Sequence, residues 1–388
     1  VRFITRWAGL FVLAGSTACG SGSTASDERA ATDDGEAVAE QTSELFAAAG
    51  DPLAVGTQHT CVILEGGSVK CFGLGAAGQL GYGDTTSRGA TASTLGNALP
   101  IVQLGRGLTA KAIVAGQGHT CALLSNNLVK CWGDAGFGQL GLGSTVDRGV
   151  TAGQMGDDLP TVDLGTARTV KALAAGGTFN CAILDTNQVK CWGANSDGQL
   201  GTGDSRNRGA KPGEMGDSLP PVFLGTGRTA TSIVAGGNFA CAILDDGTTK
   251  CWGNNDAGQL GQGSTTTIGN LPDQMATLPA INLGTGLKAK ALSAAIGYLS
   301  VCALIEGANQ IKCWGANDTG QLGIGATGHR GDQAGEMGDN LPFVNLGSSI
   351  TAKAVAVGEF ATCALLDTPN PPAGAVNTNQ VKCWGSNS

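Results

Sequence analysis

Histidine is nearly missing from this 388-residue chain: there are three, and only 14% of all residues are charged. So few imidazoles leave no Ser/His/Asp relay to assemble from the sequence. Two of the three, His59 and His119, sit at one slot of a repeat that elsewhere holds Phe179, Phe239 and, one residue displaced, Phe360. A slot that takes either ring is read as a packing slot, not as a metal or catalytic position. Basic residues are also short. Lys and Arg number 23 against 31 Asp and Glu, a formal charge of -8, which argues against nucleic-acid binding and gives no attraction to anionic lipid. Long apolar runs are missing as well: the stretch Trp7–Gly15 is too short to cross a bilayer.

What the chain has instead is glycine, 64 residues of it, and thirteen cysteines in a regular array. Six copies of one phrase begin at Cys61, Cys121, Cys181, Cys241, Cys302 and Cys363, a period of 60 residues with one-residue slips late in the chain. A period of that length marks an array of supersecondary units. The array runs from about residue 51 to 388.

The N-terminal residues read differently. Arg2 and Arg6, the apolar stretch and the small residues Ser16-Thr17-Ala18 form an export signal over 1–18. Cys19, followed by Gly20-Ser21-Gly22-Ser23, resembles the lipidated cysteine of a bacterial lipoprotein, although Ser16 stands where that motif usually carries Leu. Ordinary signal cleavage without lipidation is the alternative. Residues 19–50 are acidic and poor in apolar side chains, with Arg29 the single basic residue among them, and are expected to form a disordered tether. Export fits the cysteine usage, because paired cysteines form bonds in oxidising compartments.

Each repeat contains three short apolar or alternating runs between turn clusters, as in Lys111–Gly116, His119–Leu124 and Leu128–Gly133. Runs of this length are strand signals. A fourth run, Leu159–Gly165, carries a Pro tolerable at an edge and completes an expected four-stranded unit. Folding Cys121–Cys131 back around Asn126 sets the two cysteines opposite each other, within disulfide reach. In the fifth and sixth copies the turn is longer, yet the cysteines still flank it, so they pair with each other. The expected bonds are Cys61–Cys71, Cys121–Cys131, Cys181–Cys191, Cys241–Cys251, Cys302–Cys313 and Cys363–Cys383. An 11-residue loop closed this way is worth roughly 2.5–3 kcal/mol. The spacing lacks the short pair of a zinc site, and no metal or cofactor is expected. The aromatic after each second cysteine (Phe72, Trp132, Trp192, Trp252, Trp314, Trp384) is assigned to packing between units.

Gly-Gln-Leu-Gly recurs at 78–81, 138–141, 198–201, 258–261 and 320–323, following Ala115-Gly116 with His119-Thr120 and turns such as Trp192-Gly193-Ala194-Asn195. With these motifs in this order the chain resembles the regulator-of-chromosome-condensation-1 (RCC1) repeat family over about residues 52–388. The resemblance implies an all-β β-propeller. Founding members usually have seven blades; the six cores here imply six, with seven as the alternative, and one disulfide per blade. The sixth core lacks a Gly-Gln-Leu-Gly loop and a fourth run, so ring closure is expected either to borrow a strand, with residues 40–56 as the candidate, or to leave one blade short.

The nucleotide-exchange activity of a founding member toward a small GTPase is not carried over, since no contact residues match and the chain reads as exported. Asp245-Asp246-Gly247 fails as a sialidase-type box because Trp252 lies two residues too far along, and Asn195-Ser196-Asp197-Gly198 is ordinary turn chemistry. The variable inserts after each Gly-Gln-Leu-Gly remain. They carry Arg88, Arg148, Arg208 and Arg330 at one slot, where Ile268 breaks the series. These arginines form the candidate binding face for an acidic partner, with pairing inside each insert as the competing reading. The proline-rich tip at 369–374 is a second odd element. The expected function is a non-catalytic, exported protein-interaction scaffold at the cell envelope, touching membrane only through an N-terminal lipid. The alternatives are a carbohydrate- or small-ligand-binding propeller and a secreted enzyme inhibitor.

Overall fold

Each repeat core folds into a three-stranded antiparallel sheet, and the described residues form six such sheets. The structure, a computed structural model, describes residues 52–297, 299–367 and 379–386. The signal segment, Cys19, the acidic tether and the 369–374 tip lie outside the described residues. Blade 1 comprises β1 (Leu53–Val55), β2 (His59–Ile63) and β3 (Val69–Gly73); blade 2 comprises β4 (Ala110–Ala115), β5 (His119–Leu124) and β6 (Val129–Gly133). Blade 3 holds β7 (Val170–Ala175), β8 (Phe179–Leu184) and β9 (Val189–Gly193), and blade 4 holds β10 (Ala230–Ala235), β11 (Phe239–Leu244) and β12 (Thr249–Gly253). Blade 5 is β13 (Ala289–Ala294), β14 (Ser300–Ile305) and β15 (Ile311–Gly315); blade 6 is β16 (Thr351–Val357), β17 (Ala361–Asp367) and β18 (Asn379–Gly385).

Sequence dictates the ladder through the short turns. Asn127 and Asn187 take positive φ at the hairpin tips, a conformation asparagine tolerates, and the chain reverses so that Cys121 faces Cys131 and Cys181 faces Cys191. All six expected disulfides form, with Cα atoms 4.0–4.1 Å apart. In blades 2 to 5 the middle strand is buried along its whole length, because a neighbouring sheet covers each face. Small residues make that fit possible: Ala122, Ala182, Ala242 and Ala303 are wholly buried at these sheet-to-sheet contacts. The first strands of consecutive sheets meet, from β1 against β4 through β13 against β16, so they form the inner edges of the blades.

Three expectations need correction. The fourth run is not a strand. Leu159–Gly165 lies alongside β6 through one backbone bond, Val162 N to Val129 O at 2.8 Å, and blades 1, 3, 4 and 5 repeat that single bond. Pro160 has no N–H, and one bond does not make a ladder. Of the segment proposed to close the ring, residues 53–55 are the inner strand of blade 1 itself, with Leu53 opposite Val62, while residues 40–51 lie outside the described residues. Phe360 does not occupy the His/Phe slot: the ladder puts Ala361 opposite Gly385, as His119 is opposite Gly133, and Phe360 is 43% exposed.

Candidate functional site

The inserts are clamps between blades. In blade 2 the insert Met155-Gly156-Asp157 reaches back to the outer segment of blade 1. Gly156 N donates to Gln103 O at 2.9 Å, and the Asp157 carboxylate accepts from Arg106 N at 2.8 Å. The same contacts recur where Asp217 of blade 3 accepts from Thr166 N and Oγ1, and where Asp339 of blade 5 accepts from Thr285 N and Oγ1. Met155, Met215 and Met337 lie against Gly81, Gly141 and Gly261 of the preceding loops. The lysine before each second cysteine locks the clamp. Lys130 Nζ donates to Leu104 O (2.9 Å) and to Gly156 O (2.6 Å), Lys190 to Leu164 and Gly216, and Lys312 to Leu283 and Gly338. Burial pushes these ammonium groups below the usual lysine range, and nearby Asp157, Asp217 and Asp339 oppose it.

A second set of contacts ties blades through the Gly-Gln-Leu-Gly loops. Trp132, Trp192, Trp252, Trp314 and Trp384 each donate the indole N–H, at 3.0 Å, to the backbone carbonyl of Gln79, Gln139, Gln199, Gln259 and Gln321 in the blade before. The packing role expected for these rings holds. The carbonyl partner was not readable from the sequence, although the recurrence of both Gln and Trp pointed to the two elements.

The four candidate arginines are positioned alike, since each pairs its backbone with the glycine that ends the third strand of its blade. Their side chains differ. Arg88 forms a two-pronged bond to Asp84 (3.0 and 2.7 Å) and lies over the Tyr82 ring, and it holds the Asp84 carboxyl below the usual carboxylate range. Arg208 bonds Asp204 at 2.7 Å, and Arg330 donates to His329 O at 2.9 Å beside Glu336. Arg148 has Ser144 in the acidic slot, and its half-buried guanidinium has no hydrogen bond or ion pair among the described residues. On the same loop Phe137 is 47% and Val146 58% exposed. Ala135 N bonds Asp147 Oδ1 at 2.9 Å, tying the two limbs of that loop together.

Two shallow grooves accompany the inserts and turns. One, of about 470 Å³, is lined by Asp204, Arg206, Arg208 and Glu214. Its charges already satisfy one another or the backbone: Asp204 bonds both arginines, and Glu214 accepts from Ala210 N and Lys211 N. The other, of similar size, lies by Asp245, Asp246, Lys288 and Glu306. Among the described residues no group of three or more His, Cys, Asp or Glu could hold a metal, and no helix is long and apolar enough to cross a membrane.

Disulfide-stapled sheets meeting at their inner strands and clamped blade to blade define a repeat-built β-propeller. Models of the regulator of chromosome condensation (RCC1) repeat match residues 53–79, 110–139, 170–199 and 230–259, and residues 187–243. The chain is 30% identical to the ultraviolet-B receptor UVR8 of Arabidopsis thaliana over 217 residues, 55% of this chain and 43% of that protein. It is 28% identical to the mitochondrial RCC1 domain-containing protein RUG3 of the same plant over 274 residues, 70% of this chain and 55% of that one. A third relative, the human E3 ubiquitin-protein ligase HERC2, is matched at 29% identity over 216 residues, 55% of this chain but 4% of its own length. The chain thus spans about half or less of these relatives. Among solved structures it superposes on yeast RCC1 (Prp20), seen bound to Kap60, with a TM-score of 0.58 at 20% identity, covering 81% of this chain and 67% of that one. Human WBSCR16 gives 0.60 at 19% identity, covering 81% and 73%. At such identities the likeness speaks for the fold.

Proposed function

We propose that this chain is a non-catalytic protein-interaction propeller, exported and held at the cell envelope through a lipid on Cys19, and that blade 2 carries its docking face. The supporting observation is the guanidinium of Arg148, without a partner among the described residues, on a loop that also exposes Phe137 and Val146. Arg88, Arg208 and Arg330 find acceptors at home, so Arg148 is the one of the four left to meet a carboxylate from outside. Arginine and aromatic residues are enriched at protein interfaces. Six disulfides support an oxidising compartment. The satisfied charges of the insert groove weigh against the small-ligand alternative.

Cross-linking capture from intact envelopes tests the docking face. Recovery of the partner is expected to fall at least tenfold in a Phe137→Ser/Arg148→Ala variant and to persist in Arg88→Ala. Equal recovery from the first variant and the native chain removes blade 2 from the interface. Mass spectrometry of the mature N-terminus tests the anchor independently, and an unmodified Cys19 overturns it.

A further inference from the structure

A Met-Gly-Asp clamp closes three of the blade junctions, but not the junction of blades 3 and 4. The blade 4 insert is described throughout and is one residue shorter. It reads Met275-Ala276-Thr277-Leu278-Pro279 where blade 3 reads Met215-Gly216-Asp217-Ser218-Leu219-Pro220. The clamp glycines Gly156, Gly216 and Gly338 take φ of +68° to +72°, a conformation that alanine adopts only at a cost. With Ala276 in that place the chain makes one α-helical turn instead, Gln274–Thr277, and Ala276 N and Thr277 N both donate to Asp273 O. Met275 still packs in the core, but no carboxylate follows it.

The blade 3 surface that a clamp would cover keeps its shape. Gly225 (φ +122°) and Gly227 (+70°) repeat the turn of Gly165 (+126°) and Ala167 (+56°). Thr166 and Thr285 give their N–H and hydroxyl to clamp aspartates, whereas those of Thr226 have no acceptor among the described residues. Phe223 O likewise lacks the glycine donor that Gln103 O, Asp163 O and Asn282 O receive. Lys130, Lys190 and Lys312 each hold two carbonyls; Lys250 has no hydrogen bond or ion pair among the described residues. A β-carbon on Gly105, Gly165 or Gly284 would lie 2.8–3.1 Å from the clamp aspartate Oδ1. Over Gly225 the same point meets nothing nearer than Arg228 Cγ at 3.2 Å, and Lys250 Nζ stands 3.8 Å away. The two carboxylates close by, Asp245 and Asp246, are both engaged by Arg228, at 3.3 and 3.1 Å. Phe223 stands where Asp163 adds negative charge near Lys190, so Lys250 is the cation left facing this place.

We propose that the junction of blades 3 and 4 is a recognition site for the carboxylate of an aspartate that another protein presents in a Gly-Asp segment. The carboxylate accepts from the N–H and hydroxyl of Thr226 beside the Lys250 ammonium, a charge-assisted set of bonds. The glycine N–H donates to Phe223 O, and Lys250 reaches the glycine carbonyl as Lys190 reaches Gly216 O. Phe223, 46% exposed, supplies an apolar flank. Met275 and Leu278 already fill the core positions of this junction, so recognition is confined to the Gly-Asp unit. The preformed turn lowers the ordering cost of binding. This site does not depend on the Arg148 loop.

The blocked peptide acetyl-Ala-Gly-Asp-Ala-amide is titrated into the intact, isotope-labelled chain and followed by NMR. The Thr226 amide resonance should shift saturably, while those of Thr166 and Thr285, whose turns are already filled, should stay in place. A peptide with asparagine for the aspartate should bind roughly tenfold more weakly, and so should Thr226→Val and Lys250→Met chains with the original peptide. Thr226 is exposed, so Thr226→Val keeps the test open where Lys250→Met fails to fold. An insert rewritten to Gly-Asp-Thr in place of Ala276-Thr277 should seal the site from within and abolish binding. A Thr226 amide that does not move, or an asparagine peptide that binds equally well, overturns the proposal. So does Thr226 amide exchange in the free chain as slow as that of Thr166, because a segment of this chain then already fills the site.

Discussion

His119 Nε2 lies 3.0 Å from Asn180 Oδ1 in the next blade, and both side chains are wholly buried. The Asn180 amide donates to Gln139 O, so its oxygen accepts and His119 carries its proton on Nε2. His59 repeats the arrangement one blade earlier, donating to Thr120 Oγ1, whose own proton goes to Gln79 O. The slots are coupled across the junction. Where the ring is Phe179 or Phe239, the facing residue is Ala240 or Val301, with nothing to bond.

That pairing predicts an acid sensitivity. The Nδ1 atoms of both histidines are buried without a partner, so protonation would place a charged N–H against apolar walls. Burial, and then the neighbouring His119, lower His59 from 6.5 to about 4, and burial lowers His119 as well. The unfolded chain takes up these protons near pH 6.5 while the folded one refuses them. Stability is therefore full above about pH 6.5 and falls as pH drops toward 4, by about 3 kcal/mol for His59 alone. Urea unfolding at pH 7 and pH 4.5 should show this loss. The paired replacement His59→Phe/Thr120→Ala, which copies blade 3 against blade 4, should reduce it, and an unchanged pH dependence would exclude His59 as its source.

The indole bonds predict an order among tryptophan variants. Gln139 O accepts from both Trp192 and Asn180, but among the described residues Gln199 O has Trp252 as its one side-chain donor. Trp192→Phe leaves its carbonyl satisfied and should cost about 1 kcal/mol or less beyond the loss of contact area. Trp252→Phe strands a buried carbonyl and should cost roughly 1–3 kcal/mol more than the loss of contact area alone. Chemical denaturation of the two variants checks the ranking, which fails if Trp192→Phe is the more damaging.

The sequence announces what is local. Cys121 and Cys131 are ten residues apart on one hairpin, so turn chemistry and periodicity were enough to pair them. The partner of Trp132 lies 53 residues away and is a backbone atom, which no side-chain pattern encodes. The clamps hid for the same reason: Arg106 and Asp157 meet at a separation of 51 residues. Met-Gly-Asp in three inserts and a lysine before every second cysteine were visible signals, but they read as decoration until the blades were set side by side. Leu159–Gly165 alternates like a strand because one side of it does face the core, with Val162 and Leu164 buried; only the missing ladder shows otherwise. The candidate arginines were found by recurrence, and recurrence is silent about Ser144 replacing the aspartate that Arg88 and Arg208 use.

The clamp aspartates predict a local opening. Asp217 holds the turn at Thr166 through two hydrogen bonds, and bonds from the Thr166 hydroxyl and N–H hold its carboxyl below the ordinary aspartate range. Asp217→Ala should speed exchange of the Thr166 and Gly216 amides while leaving those of β8 unchanged, because the ladder does not depend on the clamp. Hydrogen exchange read by NMR decides it; uniform acceleration across blade 3 would mean that the clamp is needed for the sheet itself.

The disulfides predict an order of reduction. Five are enclosed by neighbouring blades, with every sulfur-bearing residue at most 1% exposed, but Cys383 on β18 is open to solvent. Attack by a thiolate needs access to sulfur, so mild dithiothreitol should open Cys363–Cys383 first. Alkylation and peptide mapping should then find label on these two cysteines before any other. The open bond also closes the longest loop, 20 residues of separation against 10 or 11, and its loss should cost about 3 kcal/mol by chain entropy. That loss should fall on blade 6, because each bond staples one hairpin and none joins two blades. Blades 1 to 5 should keep their exchange protection after selective reduction, and a global unfolding at that step would show that the last sheet holds the others in place.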